Sequence, residues 1–207
     1  MKNKEYGIVL NWNYVIVSIV VVAILTLLVL YMPGIRSFDY TLLRSIRLAL
    51  SPFPSYIPIF ISEFGMSNHM LWPQITACCV LVSHRYYLKA FLVVFFTQAA
   101  FFLKDLLKNF VCRERPSGCG LTDFCFPSGH ACASMCFYGI VIYLIHHYVR
   151  NDFWRNFLII FFGIWIFFAC ISRLWLGVHF TTDVVAGAFL GFMLVNLYII
   201  LSKTLSS

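Results

Sequence analysis

Apolar residues along this chain fall in long unbroken runs separated by short polar stretches, and the run lengths match a bilayer. The first run spans Tyr14 to Met32, follows Lys2 and Lys4, and closes on Met32-Pro33-Gly34. A secretory leader has a shorter apolar core, about 7–15 residues, and ends in a small-residue cleavage site, so this run reads as a retained membrane helix. Further runs are expected from about Ser67 to Val82 (with Pro73 inside), Tyr87 to Leu107, Ser128 to Tyr148, Phe153 to Ile171 and Phe180 to Leu201. Each approaches the roughly 20 residues with which a helix crosses the hydrocarbon core. Ser37 to Glu63 is mixed: Arg44 and Arg47 interrupt an apolar pattern, and Pro52, Pro54 and Pro58 break helical continuity. This segment predicts a surface helix and a turn lying against the membrane.

The runs are continuous where a barrel strand would alternate, and backbone groups in lipid must be satisfied inside each helix. The expected fold is therefore all-α: a polytopic membrane bundle of about six transmembrane helices, one domain over residues 1–207. Composition agrees, with 61% hydrophobic residues, 11% charged and a mean hydropathy of +0.87. That is too little polar surface for a soluble domain of this size.

Net charge changes the picture less than its sign implies. The +7 is scattered between apolar runs, which fits membrane orientation and an anionic substrate; no nucleic-acid motif accompanies it. Lys2, Lys4, Arg85, Lys89, Arg150, Arg155 and Lys203 favour both termini on the cytoplasmic side. Of eight cysteines, Cys78, Cys79, Cys132, Cys136 and Cys170 lie in predicted spans and are expected to be buried thiols. Cys119 and Cys125, in the loop after the third span, could pair if that loop faces an oxidising compartment.

The remaining charges carry candidate chemistry. Lys108, Arg115, His130, Arg173, His179 and Asp183 fall at the ends of the third to sixth spans, all on one membrane face. Ionisable groups this near lipid are costly unless paired or functional. Arg matches phosphate oxygens with a planar fork and Lys supplies a point charge. Ser128 is a good N-cap for the fourth span, and Gly129 lets an anion approach the free N–H groups of that helix start. His179 and Asp183 are four residues apart, on one face if helical. A carboxylate there would hold one imidazole nitrogen protonated and leave the other free to attack. His130 could protonate the leaving oxygen. Lys104, Arg113 and Glu114 read as interfacial charges, and His69, His84, His146 and His147 as turn or interface residues without a metal-ligand set.

The same residues form three motifs. Lys108 precedes Arg115-Pro116 by six intervening residues; Pro127-Ser128-Gly129-His130 follows; Ser172-Arg173 precedes His179 by five and Asp183 by three more. In this order they resemble the signature of the type 2 phosphatidic acid phosphatases, relatives of the vanadium haloperoxidases. The resemblance rests on residues 108–183 and implies a lipid phosphatase with His179 as nucleophile, Asp183 orienting it and His130 as acid. It further implies that Lys108, Arg115, Ser128, Gly129 and Arg173 hold phosphate, with no metal or other cofactor. The implied partners are a lipid phosphate and the surrounding membrane lipids, with no nucleic acid and no indication of oligomeric state. Undecaprenyl diphosphate, a lipid A phosphate, phosphatidylglycerol phosphate and phosphatidic acid all fit an active site on the outer face of a bacterial inner membrane, with isoprenoid diphosphate or lipid A chemistry the favoured expectation. A phosphotransferase acting on a lipid diphosphate, or a non-enzymatic lipid carrier or partner subunit, are the alternatives.

Overall fold

The computed structural model describes the backbone of residues 2–63 and 68–205 and the side chains of residues 11–63 and 70–205. The side chains of Lys2, Lys4 and His69, and the Ser67 start expected for the second span, lie outside the described residues. Eight helices and no strand form among them: α1 (Lys2–Tyr31), α2 (Ile35–Leu50), α3 (Tyr56–Glu63), α4 (Asn68–Ser83), α5 (Tyr87–Val111), α6 (Gly129–Tyr148), α7 (Asp152–Trp175) and α8 (Thr181–Thr204). The chain is a helical, multi-pass integral membrane protein. Within the described residues, α5, α6, α7, α8 and the Asn11–Tyr31 part of α1 are long and apolar enough to cross a bilayer. The remaining expected span, the second, is α4, a shorter apolar helix that keeps Pro73 inside it.

Packing centres on α8, which lies between α1 and α6; α6 also packs on α5 and α7, and α4 rests on α5. The main apolar core joins α5, α6 and α8 through Val93, Phe96, Phe137, Ile140, Leu194 and Tyr198. Phe153, Phe157, Phe161 and Phe167 of α7 stay exposed, as side chains do when lipid is the solvent. The buried-thiol expectation holds for Cys132 and Cys136 alone; Cys78 and Cys170 are half-buried, and Cys79 is exposed on α4.

Two glycines bring α6 and α8 into backbone contact. A Cβ on Gly187 would sit 2.3 Å from the Ser128 carbonyl oxygen, and one on Gly191 would sit 2.4 Å from that of Cys132. Gly187 and Gly191 are four apart, the small-xxx-small spacing that lets membrane helices approach closely. Because the clashing atoms are backbone, α6 as a whole would have to move. Gly187→Ala is expected to destabilise the protein by about 1–3 kcal/mol, read as a lower melting temperature in detergent, and to displace the start of α6.

The segment between α1 and α4 differs from expectation. Helices α2 and α3 do not simply lie on the membrane. They pack against α7, with α2 also touching α8, and Asp39 of α2 is fully buried. Pro52 and Pro54 fall between α2 and α3, where no helical hydrogen bond is lost.

Candidate active site

The ends of α5 and α7 meet the starts of α6 and α8 at one end of the bundle. Each junction is set by local backbone chemistry. Helix α5 stops at Cys112, which is left-handed (φ 51°) and donates its N–H to the Lys108 carbonyl at 2.9 Å. The loop beyond is pinned where Cys125 donates its N–H to the Arg113 carbonyl (2.9 Å) and its thiol to the Glu114 carbonyl (3.2 Å). Burial pushes the Cys125 thiol well above its usual value, and the Asp183 charge adds to this. Cys119 and Cys125 are both free thiols. The pairing that the sequence left open is not formed: the Cys125 thiol faces the Glu114 carbonyl and the Cys119 thiol the Leu121 carbonyl.

The interval between Arg173 and His179 has a structural reason. Gly177, at φ +68°, lets its N–H reach the Leu174 carbonyl and that of Val178 reach the Arg173 carbonyl. This pair of bonds is a Schellman closure, and Gly supplies the left-handed residue it needs. His179 follows at once, before α8 begins. It therefore does not share a helical face with Asp183. Asp183 sits in the first turn of α8 and accepts the Phe180 N–H at 2.8 Å, closing that helix's N-terminus. His179 Nδ1 lies 3.6 Å from Asp183 Oδ2, an ion-pair distance longer than a hydrogen bond.

Around His179 the expected cations assemble. Arg115 places Nη1 3.2 Å from His179 Nε2 and 2.6 Å from the Val178 carbonyl. With Nε2 facing a donor, the imidazole proton belongs on Nδ1, toward Asp183. His130, in the first turn of α6, is within electrostatic range of Arg173, His179, Arg115 and Lys108. Burial pushes the His179 imidazole down to about 4; Asp183 works against this, and Arg115 and Arg173 add to it. The Ser128 N–H donates to the Asp183 carbonyl at 2.9 Å, tying the start of α6 to α8. Its side chain does not cap α6, contrary to expectation. The hydroxyl instead belongs to a set of buried polar atoms with no partner among the described residues: Ser128 Oγ, Arg173 Nε and Thr181 Oγ1. Unsatisfied groups of this kind are rare in a folded interior, and these flank the two histidine motifs.

Two acids in the site carry no signature in the sequence. Asp123 accepts from Lys108 Nζ (2.7 Å) and from Arg115 Nε and Nη2 (2.8 and 2.9 Å). Arg115 first, against some desolvation, and then Lys108 hold its carboxyl far below the usual range. A cleft of about 360 Å³ opens beside this pair, lined also by Arg36. The second acid is Asp39, which meets Arg113. Arg113 is not an interfacial charge: it is 9% exposed and bridges Asp39 and Asp183. Lys104 is likewise buried, paired with Asp105, while Glu114 is exposed and pairs with Arg36 at 3.1 Å. His84, His146 and His147 are exposed at the opposite ends of the helices. Among the described residues no cluster of three or more His, Cys, Asp or Glu could hold a metal.

A model of the PAP2 superfamily matches residues 86–206, more than half of the chain. The chain belongs to the PAP2 superfamily. This PAP2 protein is 27% identical over 165 residues to phosphatidylglycerophosphatase B of Bacillus subtilis (strain 168), covering 78% of this chain and 81% of that one. Its fold is similar to the crystal structure of the transmembrane PAP2-type phosphatidylglycerolphosphate phosphatase from Bacillus subtilis. The TM-score is 0.80 at 23% identity, over 94% of this chain and 96% of the other. Family, fold and membrane-spanning helices make it a membrane lipid phosphatase.

Proposed function

We propose that this PAP2 protein hydrolyses the phosphomonoester or diphosphate of a lipid through a phosphohistidine on His179, without a metal, at the outer face of a bacterial inner membrane. The observation that carries this reading is Arg115 Nη1 beside His179 Nε2, with Arg173 and His130 near the same imidazole and Lys108 tied to Arg115 through Asp123. Nε2 attacks phosphorus, and the bond from phosphorus to the lipid oxygen breaks. His130 gives that oxygen a proton. Asp183 accepts from Nδ1–H as the ring takes on positive charge. A water molecule then attacks phosphorus and passes its proton to His130; the P–N bond breaks and inorganic phosphate leaves.

Lys108, Arg115 and Arg173 supply the positive charge that other phosphoryl-transfer sites take partly from magnesium. Ser128 Oγ, which has no partner among the described residues, and the N–H groups that open α6 would take phosphate oxygens. Phosphatidylglycerol phosphate leads the candidate lipids because the Bacillus subtilis relative is named for that activity. Undecaprenyl diphosphate, a lipid A phosphate and phosphatidic acid share the group this site would bind.

The test uses purified full-length protein in detergent against these four lipids, with and without a chelator and with no acceptor lipid added. Inorganic phosphate is expected from at least one lipid, at a rate the chelator leaves unchanged. Phosphate released only when an acceptor lipid is supplied would replace hydrolysis with phosphotransfer. Loss of turnover on chelation would overturn the metal-free mechanism.

A further inference from the structure

Behind the expected triad lies a buried network that no motif predicts. Arg113 Nη1 donates to Asp183 Oδ1 (2.5 Å) and to Thr182 Oγ1 (2.7 Å), and Nη2 donates to Asp39 Oδ2 (2.7 Å). Thr182 donates its hydroxyl to Asp39 Oδ2 at 2.5 Å and its N–H to Asp39 Oδ1 at 3.3 Å. The guanidinium lies 4.4 Å from the centroid of the Phe180 ring. Asp39 and Asp183 are both fully buried. The two Asp183 oxygens are thereby divided: Oδ1 is held by Arg113, while Oδ2 takes the Phe180 N–H and faces His179.

The charge balance gives this geometry a consequence. A buried guanidinium paired with Asp183 alone would cancel the negative charge that His179 needs beside it. Asp39 is a second carboxylate on the same guanidinium, so the cluster keeps one net negative charge. At close range and away from water, that difference acts strongly on a neighbouring imidazole.

We propose that Asp39 and Arg113 are positioning residues for phosphoryl transfer: Arg113 fixes the Asp183 carboxylate toward His179, and Asp39 preserves that carboxylate's effective charge. The inference rests on His179 being the nucleophile. Neither residue touches substrate, so both act on the attack step and leave lipid binding alone.

The experiment compares wild type, Asp39→Asn and Thr182→Val with the panel lipid that wild type turns over fastest. It reads kcat, KM, the acid limb of kcat/KM, and the rate of phosphoenzyme formation after a rapid alkaline quench. The charged or titratable groups facing His179 are Asp183, Arg115, Arg173 and His130, all unchanged in these variants. Asp39→Asn is expected to slow phosphoenzyme formation and kcat by about 10–100-fold, on the scale of losing the partner behind a metal-bound histidine. KM should stay within about threefold, and the acid limb should move to lower pH because a positive ring loses support. Thr182→Val loses hydrogen bonds but no charge, so its acid limb should not move.

A wild-type phosphoenzyme that Asp39→Asn forms at the wild-type rate, or a variant that loses only thermal stability, overturns the positioning role and leaves the phosphohistidine standing. A wild type that yields no phosphoenzyme overturns the nucleophile and this inference with it. If Asp39→Asn does not fold, Arg113→Lys serves, since a point charge lacks the fork that holds both carboxylates; unchanged kcat there also overturns the role.

Discussion

His179→Ala is expected to lower lipid phosphate release by about 10⁴-fold or more while the protein still folds and inserts. The size follows from what is removed: the reaction loses the atom that bonds to phosphorus, and nearby cations cannot replace a nucleophile. Survival of the fold follows from how few bonds the ring makes. Among the described residues, Nδ1 has no hydrogen-bond partner and Nε2 meets only Arg115. Arg115 keeps its contacts with Asp123 and the Val178 carbonyl in the variant. Wild-type protein quenched in alkali should carry lipid-derived phosphate, and His179→Ala should carry none. The pH profile gives a second reading. Neutral imidazole attacks, and burial holds this ring at about 4. The acid limb of kcat/KM that belongs to His179 should therefore lie near pH 4, with attack lost as pH falls through it and unaffected by this group above it. An acid limb for His179 at the ordinary histidine value would contradict the buried, cation-flanked ring.

The second large effect is on His130. His130→Gln should slow hydrolysis of an alkyl lipid phosphate by about 10²–10⁴-fold, the usual contribution of a positioned general acid. A lipid alkoxide is a poor leaving group and needs a proton. p-Nitrophenolate does not, so loss with p-nitrophenyl phosphate should be much smaller in the same variant. Equal losses with both substrates would show that His130 holds phosphate and does not protonate the leaving oxygen. His130 sits in the first turn of α6, whose start is anchored through the Ser128 N–H to the Asp183 carbonyl.

The expected site residues were legible because their spacings record local geometry. Arg173 and His179 stand apart by the length of one Schellman closure, and Ser128-Gly129-His130 is the entrance of a helix. Such features depend on neighbours in sequence. The Asp39–Arg113 pair depends on α2 folding back over the end of the bundle, across a separation of 74 residues, and nothing local reports that. Arg113 was further disguised by Arg115, whose motif accounts for a basic loop. A signal did exist. Asp39 is the one acidic residue among the 26 from Ser37 to Ser62, in a segment that also holds Arg44 and Arg47. The Gly187–Gly191 spacing was also readable, as a close helix contact. Its partner on α6 was not, because residue spacing on one helix does not name the facing surface.

The height of the site within the bundle determines how the enzyme meets its substrate. Lys108, His130, Arg173 and Asp183 lie in the last or first turns of membrane-length helices, where hydrocarbon gives way to headgroups. On the proposed function, a lipid phosphate would reach them by lateral diffusion, with its tails still in the bilayer. The concentration that saturates the enzyme is then a surface density. Kinetics in mixed micelles should collapse onto one curve when substrate is expressed as mole fraction and scatter when it is expressed as molarity.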